Sequence, residues 1–255
     1  MSDRNKIHRF DNGICVYDHH LIEAQRERYK KNNVHEAEEE EIFKELITSI
    51  DSEGCYLNIG CAIGYYPILA RKLMPKIKIY AAEPLQLHRE YFKENICLNG
   101  FSIGDFNIIS TAFSSRKGAE LFKENDFSSS IYQDKSSKSS MSFIGKIIKL
   151  SPIKRRPSPG NQITRVKTTT IDHFQRSLGK EIDLIQMDVQ GFEENVLKGA
   201  EKSMREKKIR NLLIGTHGIK IHDRCISALS NEGYRIHLSV PVAEMQPDGI
   251  LVASL

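Results

Sequence analysis

The segment DLIQMDVQGFEENVLKGA, which runs from Asp183 to Ala200, joins two kinds of pattern. Its first residues, DLIQMDV, form the short apolar run of a strand buried in a parallel sheet. The residues from Glu193 onward have helical spacing, and Glu193 lies in the first turn, where the helix dipole favours a carboxylate. A buried strand that leads through a tight acidic turn into a helix indicates an α/β fold.

The same alternation continues on both sides of this segment. Strands are predicted at 55–60, 77–84, 106–113, 183–189 and 211–217, helices at 65–74, 85–100, about 193–207 and about 219–232, and a closing strand pair at 234–240 and 249–255. We therefore predict an α/β fold with a mostly parallel sheet and helices on both faces.

Two regions depart from this alternation. Residues 1–51 form an N-terminal segment with a predicted edge strand at GICVY and an amphipathic helix from His35 to Ile50. We interpret Glu38–Glu41 as the solvated start of that helix. The main domain, 52–255, is interrupted at about 114–165 by a Ser/Lys/Pro-rich insertion without clear periodicity. Long connections of this kind are usually functional or disordered.

Composition excludes several classes of protein. The chain has 255 residues and a net charge of only +4, which argues against general nucleic-acid binding. No apolar run is long enough to span a membrane, and the N-terminus lacks the apolar core of a signal peptide. The five cysteines are scattered without CxxC spacing. We therefore predict a cytoplasmic protein with reduced thiols.

A glycine-rich turn follows the first strand of the main domain. Gly60 and Gly64 frame it in NIGCAIGYY, where bare backbone and a helix N-terminus favour close approach of a ligand. Glu83 ends the next strand, about twenty residues on, where a carboxylate can bind ribose hydroxyls. Because Ala62 stands where a dinucleotide site needs a glycine, the spacing favours S-adenosylmethionine over NAD. For the glycines alone, a turn without a ligand is the alternative.

Two further side chains are predicted to face the same crevice, because parallel strands end at one edge of the sheet. Asp188 ends the strand of the opening segment, although an N-cap role is the alternative. His217 follows the neighbouring strand, and we predict it to be a general base that Asp188 orients. A histidine that only satisfies nearby backbone is the alternative.

The opening segment resembles the hallmark of the FkbM-type S-adenosylmethionine-dependent methyltransferases, whose usual form is D-x-I-K-x-D-V-E-G-x-E-x-x-V-L-x-G-A. The blocks LNIGCAIGYYPILA, YAAEP, ENICLNG and VKTTTIDHF match the remaining family blocks in order, within about residues 52–235. The resemblance implies a class I, Rossmann-like methyltransferase fold, usually with seven strands. It also implies methyl transfer to a hydroxyl oxygen of a sugar, glycan precursor or small metabolite.

The resemblance also implies where the cofactor would bind. The predicted cofactor-binding residues are Asn58, Gly60, Ala62, Gly64, Tyr65, Glu83, Pro84, Ala112 and Asp188. Three positions depart from the family pattern: Asn58 replaces an aspartate, Ala62 an asparagine and Gln190 a glutamate. The first two lie beside the predicted cofactor, and the third removes a negative charge from the mouth of the site.

The acceptor side is predicted from segments outside the core sheet. Lys154, Arg155 and Arg156 could bind a phosphate or a nucleotide-linked sugar, with a solvated loop as the alternative. His35 and Glu36 precede a helix and could fold over the crevice as a lid, with a helix cap as the alternative, and Glu193 is a further predicted acceptor contact. A divalent cation held by Asp188, Glu193, His217 and His222 is a less favoured option.

We thus predict an O-methyltransferase with a small-molecule or glycan acceptor, with a homodimer left open. The alternatives are a non-catalytic, cofactor-binding partner subunit and, less favoured, a nicotinamide-dependent oxidoreductase.

Overall fold

The computed structural model describes residues 5–124, 130–131, 162–242 and 248–255. Its central sheet consists of β3 (Cys55–Ile59), β4 (Lys78–Ala82), β5 (Phe106–Ile109), β10 (Ile182–Met187), β11 (Ile209–Thr216), β12 (Arg235–Val240) and β13 (Gly249–Ser254). These seven strands lie in the order β12-β13-β11-β10-β3-β4-β5. Within the sheet β13 is antiparallel to β11 and β12, while the other neighbouring strands are parallel. The predicted fold class is confirmed.

Helices cover both faces of this sheet. They are α2 (Ala37–Ser49), α3 (Tyr65–Leu73), α4 (Gln86–Leu98), α5 (Ile171–Leu178), α6 (Glu193–Lys198), α7 (Glu201–Arg205) and α8 (Ile219–Asn231). Successive strand residues point to opposite faces, so Tyr56 packs in the layer of α2, with its ring 5.5 Å from that of Phe43. Its neighbour Leu57 belongs to the other layer, together with Val196 of α6 and Leu229 of α8.

The helix predicted at about 193–207 is two short helices, α6 and α7. The backbone carbonyl of Gly199 accepts a hydrogen bond from the N–H of Asp172 at 2.9 Å instead of continuing the helical ladder. The backbone here is also so close to Ser114 that a Cβ at Gly199 would lie 2.1 Å from the Ser114 carbonyl oxygen. Contact with another part of the chain therefore ends α6, which local helical spacing could not reveal.

A second, smaller sheet is built from the run 106–113 and from the ends of the predicted insertion. It contains β6 (Ala112–Phe113), β7 (Gly118–Glu124), β8 (Ser130–Ile131) and β9 (Gln162–Thr169), in the order β6-β9-β7-β8. The single strand predicted at 106–113 is therefore two strands, one in each sheet. In β9, which begins within the predicted insertion and continues past its end, the exposed Arg165 and Lys167 alternate with the buried Val166 and Thr168 in a strand period.

The N-terminal segment forms a hairpin and two helices rather than an edge of the central sheet. Strands β1 (Ile7–Arg9) and β2 (Cys15–Tyr17) pair only with each other among the described strands. A 3-10 turn, Asp18–His20, then leads to helix α1 (Glu23–Lys31) and on to α2. Among the described residues, no helix is both long and apolar enough to cross a membrane.

The solvated reading of Glu38–Glu41 is wrong for two of the four residues. Glu39 and Glu40 are buried on the inner face of α2. Glu39 accepts a hydrogen bond from the Gln186 side chain at 2.7 Å, and Glu40 accepts one from the Tyr65 hydroxyl and pairs with Lys44 at 2.7 Å. The acidic start of α2 is thus tied into the centre of the domain.

Candidate active site

A cavity of about 420 Å³ opens at the carboxyl ends of the parallel strands. Its lining follows the strand order: Ala112 beyond β5, Glu83 beyond β4, Gly60 beyond β3, and Asp188 beyond β10. Asp248 precedes the antiparallel β13 and so reaches the same edge. The convergence that the sequence predicts at this edge of the sheet is therefore present, and the volume suits a cofactor-sized ligand.

The glycines of the turn after β3 are required by packing. Gly60 and Gly64 have φ values of +86° and +87°, which strain any residue with a side chain. A Cβ at Gly60 would lie 1.9 Å from the carbonyl oxygen of Asp188, and a Cβ at Gly64 would lie 1.8 Å from the Phe92 ring. The turn is thus wedged between β10 and α4, which holds the Ala62 backbone at the cavity.

Glu83 is held in place at the end of β4. Its buried carboxylate accepts hydrogen bonds from the backbone N–H groups of Ala62 at 3.1 Å and Leu85 at 2.8 Å. A carboxylate has about four acceptor positions, so it can still accept bonds from a ligand. The carboxylate therefore faces the cavity in a fixed orientation that suits a pair of hydroxyl groups.

Asn58 lies on the cavity floor with one polar atom to spare. Gln186 donates its amide N–H to Glu39 at 2.7 Å, which turns its Oε1 towards Tyr56 and Asn58. Asn58 Nδ2 donates to that oxygen at 3.2 Å, so Asn58 Oδ1 points away and has no hydrogen-bond partner in the described part of the chain. A buried acceptor without a partner is costly, and a donor on a bound ligand would satisfy it.

His217 lies among three carboxylates. Its Nδ1 is 2.8 Å from Glu193 Oε1, and its Nε2 is 3.0 Å from Asp248 Oδ1 and 3.5 Å from Asp188 Oδ1. Burial disfavours the charged ring, but the contacts with Asp248, Glu193 and Asp188 outweigh it and raise the pKa of His217 to about 11. This pKa favours the imidazolium form, which has no free lone pair to accept a proton, and the role of His217 as general base stays a prediction.

Asp188 has the properties that a base requires. Its side chain lines the cavity with 36% of its surface exposed. Enclosure by protein raises the pKa of Asp188 to about 7, although the His217 charge opposes that rise. Gln190 Nε2 donates a hydrogen bond to Asp188 Oδ1 at 3.0 Å. The carboxylate is thus oriented, and near neutral pH it can change its protonation state.

The N-terminal segment closes the cavity opposite the sheet. His35 and Glu36 line it, and so do Gln25 and Arg28 of α1. Burial raises the pKa of Glu36 to about 7, and its Oε1 is 3.9 Å from Arg28 Nη1. His35 Nδ1 is 2.6 Å from the Tyr29 hydroxyl, and burial lowers the pKa of His35 to about 3. The N-terminal segment therefore adds to the site a neutral histidine, His35, and a carboxyl group, Glu36, that lies near the Arg28 guanidinium.

The geometry agrees with a comparison of the sequence. Residues 58–236 match the family described as Methyltransferase FkbM domain. The chain belongs to the FkbM methyltransferase family. The family that the sequence resembles is thereby confirmed.

Three proteins similar to this FkbM-family chain share 10% to 25% sequence identity with it. A protein of Jannaschia sp. (strain CCS1) named "Putative methyltransferase" is 25% identical over 186 residues, which cover 71% of this chain and 61% of that protein. An rRNA methylase from Streptococcus thermophilus is 10% identical with a TM-score of 0.48, covering 83% of this chain and 92% of that one. The precorrin-6y C5,15-methyltransferase from Geobacter metallireducens GS-15 is 10% identical with a TM-score of 0.47, covering 84% and 87%.

Ten of the predicted site residues of the FkbM-family chain line the cavity. Those that line the cavity are Asn58, Gly60, Ala62, Tyr65, Glu83, Pro84, Ala112, Asp188, His35 and Glu36. Gly64 does not line it, and the Tyr65 hydroxyl is taken up by Glu40 and Asn12. Lys154, Arg155 and Arg156 lie outside the described residues.

Besides Gly64, three predicted residues within the described part of the chain are not among those that line the cavity: Glu193, His217 and His222. Glu193 is fully buried, accepts a hydrogen bond from the Gly191 N–H at 3.0 Å and holds His217, so it does not reach an acceptor. His222 contacts Thr216 and Ser239 at 2.7 and 2.9 Å and does not join the group of Asp188, Glu193 and His217. The four-ligand metal option therefore loses one ligand, while the other three offer atoms within 4.8 Å of one another.

Sequence reasoning did not single out Gln25, Arg28 or Asp248. Arg28 begins the basic stretch RYKK, and an arginine near a predicted lid was the available signal. Asp248 precedes a glycine at the start of a closing strand, which resembles an ordinary turn. Only the antiparallel pairing of β11 with β13 brings it to His217.

Proposed function

We propose that this chain transfers the methyl group of S-adenosylmethionine to a hydroxyl of a sugar, glycan precursor or small metabolite. One observation carries the proposal: a single cavity joins the residues that suit the cofactor, on the β3–β5 side, to a cavity-facing carboxylate on the β10 side. Asp188, with a pKa of about 7, is that carboxylate.

The β3–β5 side of the cavity has groups that fit each part of the cofactor. Glu83 suits the ribose hydroxyls, because carboxylates accept hydrogen bonds from a vicinal diol. The unpartnered Asn58 Oδ1 suits the ammonium group of the amino-acid part. Ala112, Phe113 and Phe122 give an apolar wall for the adenine. When bound, the cofactor supplies an electrophilic methyl group on a sulfonium.

On the β10 side, Asp188 is proposed to accept the proton of the acceptor hydroxyl. The bound cofactor would supply the methyl group and keep the electron pair of its carbon–sulfur bond, while the Asp188 carboxylate would take up the proton that the acceptor hydroxyl loses. Most of the rate enhancement in such a displacement comes from positioning, and a base near neutral pKa adds to it. His217, held by Glu193 and Asp248, keeps Asp188 in place as a charged neighbour.

The polar lining of this side supports a polyhydroxylated acceptor. Glu36, Asp248, Gln25 and Gln190 present carboxylate and amide groups, which hydrogen-bond well to adjacent hydroxyls. Arg28 adds a cation that could meet an acidic substituent.

A basic surface beside the cavity supports an acceptor with a phosphate or other anionic part. Lys117, Arg165 and Lys167 line an open hollow that shares Thr111 with the cavity. Arg165 and Lys167 form no ion pair with the residues that the structure describes. Lys154, Arg155 and Arg156, in the same insertion, remain proposed contacts for that part.

The proposal is tested by measuring S-adenosylhomocysteine formed from S-adenosylmethionine in the presence of a panel of candidate acceptors: sugars, sugar phosphates and nucleotide sugars. We expect turnover with at least one acceptor, loss of turnover in Asp188→Asn, and full turnover in Asp223→Asn, an exposed aspartate on α8. Cofactor binding without turnover of any acceptor in the panel would favour the non-catalytic partner subunit instead.

A divalent ion is the second candidate for the role of the His217 charge, since Asp188, Glu193 and His217 offer ligand atoms within 4.8 Å of one another. In our proposal the positive charge beside Asp188 is that of the His217 imidazolium, so EDTA-treated enzyme should keep its activity. Loss of activity in EDTA with recovery on adding Mg²⁺ or Mn²⁺ would establish the metal instead.

A further inference from the structure

A second group of potential ligands lies on the N-terminal segment, away from the cavity. The turn Asp18–His20 packs against α4, and the His20 side chain is fully buried there. The His20 ring stacks on Tyr91 with centroids 3.9 Å apart, and the His19 ring is 4.3 Å from that of His20. Glu94 of α4 lies beside them, so that two imidazoles and a carboxylate meet where the segment joins the domain.

The hydrogen bonds of Asn95 determine which His20 nitrogen carries a proton. Asn95 Nδ2 donates to the Ile63 carbonyl at 3.0 Å, and Asn95 Oδ1 accepts from the Tyr17 N–H at 3.2 Å. His20 Nδ1 is 3.0 Å from that same oxygen and must therefore be the donor. This leaves His20 Nε2 facing Glu94 Oε2 at 2.8 Å.

A ring nitrogen that faces a carboxylate oxygen at 2.8 Å needs a proton or a metal ion between the two atoms. A proton carried by Nε2 or by Glu94 is one possibility, and a metal ion is the other. His19 favours the metal ion, because its Nδ1 is buried and has no hydrogen-bond partner among the described residues. His19, His20 and Glu94 each offer a ligand atom, and the three atoms lie within 4.8 Å of one another.

We propose that His19, His20 and Glu94 bind a divalent transition-metal ion of the Zn²⁺ type. Two imidazoles and a carboxylate are ligands that zinc prefers, with water in a fourth position. The bond from His20 Nδ1–H to Asn95 Oδ1 is the outer contact that usually fixes a metal-binding histidine. Glu94 is 52% exposed, so the ion can enter from solvent and the carboxylate can adjust to it.

The ion would fasten the N-terminal segment to the domain. Helix α1 begins three residues after His20 and supplies Gln25 and Arg28 to the cavity. Binding favours the folded arrangement, because only folding brings Glu94 to the adjacent His19 and His20. The ion would therefore stabilise the N-terminal segment that closes the cavity, without itself contacting a methyl acceptor.

Calorimetric titration of the tag-free, EDTA-treated full chain with ZnCl₂ tests the proposal, with CoCl₂ absorption as a second readout. We expect one ion per chain and a rise in unfolding temperature, with binding at least about tenfold weaker in Glu94→Gln and His19→Ala. Glu90→Gln, an exposed residue one turn earlier on α4, is the matched control and should bind like the wild type.

Two different results would contradict the proposed metal site. No binding by the wild type would mean that a proton joins His20 to Glu94, and equal binding by all variants would mean that the ion lies elsewhere. Since Glu94 is exposed, Glu94→Gln should fold normally, and its metal-free unfolding temperature verifies this. None of these readouts depends on turnover, so the result is independent of the proposed methyl transfer.

Discussion

The two sides of the cavity are built on different principles. On the β3–β5 side, polar groups are bound to the protein's own backbone or amides: Glu83 accepts two backbone N–H groups, and Asn58 is oriented by Gln186. On the β10–β13 side, charged groups contact one another, with His217 among Asp188, Glu193 and Asp248. The first arrangement fixes shape and orientation, whereas the second adjusts protonation. This difference fits the proposal that the β3–β5 side binds the cofactor and that the β10–β13 side takes part in proton transfer.

Asp188→Asn should have the largest effect and should separate the two sides. The amide cannot accept a proton, so we expect turnover to fall by about 10²–10⁴-fold. Cofactor affinity should stay nearly unchanged, because the β3–β5 contacts remain. Steady-state kinetics with calorimetry measures both quantities. Equal losses in turnover and cofactor binding would contradict the division between the sides.

The pH dependence of turnover sharpens the same comparison. Asp188 must be deprotonated to act as a base, and its pKa is about 7. Turnover should therefore drop about tenfold per unit as pH falls below about 7 and level off above it. His217, with a pKa of about 11, stays charged throughout that range. A profile that is flat from about pH 5 to 8 would exclude Asp188 as the base.

Gly64→Ala tests whether the glycine turn of the β3–β5 side is held by packing. Gly64 and Gly100 both have positive φ, +87° and +79°, but a Cβ at Gly100 meets open space. Both substitutions should lose about 1–2 kcal/mol of unfolding free energy to backbone strain. Gly64→Ala should lose a further ~1–3 kcal/mol against the Phe92 ring. Urea unfolding that gave equal losses would refute the packing role.

Glu83→Gln should weaken cofactor binding by about tenfold, the smallest of these effects, because one charge-assisted hydrogen bond becomes a neutral one. The pH profile should keep its shape, since Asp188 is unaltered. Calorimetry and a pH–rate series give the two results. A shifted pH–rate profile with unchanged cofactor affinity would mean that Glu83 acts in proton transfer rather than in cofactor binding.

Local pattern and sheet geometry predicted which residues at the ends of the parallel strands lie together at the cavity. Glu83 and Asp188 could be placed together because parallel strands end at one edge, and this requires no knowledge of distant contacts. The β10–β13 side was harder. Asp248 reaches His217 only through the antiparallel pairing of β13, and its contact is one of those that raise the pKa of His217.

Burial of acidic residues was the other feature that sequence reasoning missed. Glu39 and Glu40 resemble a solvated helix start because their partners, Gln186 and Tyr65, are far away in the chain. At the end of the insertion, the alternation of Arg165, Val166 and Lys167 was present in the sequence but was obscured by the Ser/Lys/Pro composition before it. The first error arose from contacts between distant segments and the second from local composition.

Calorimetric titration with S-adenosylhomocysteine of the wild type, Glu83→Gln and Asp188→Asn is the most direct test of the central claim. Our account predicts saturable binding to the wild type, affinity about tenfold lower in Glu83→Gln and close to the wild-type value in Asp188→Asn. Absence of binding heat in well-folded wild-type protein, with either the methyl donor or its demethylated product, would contradict it.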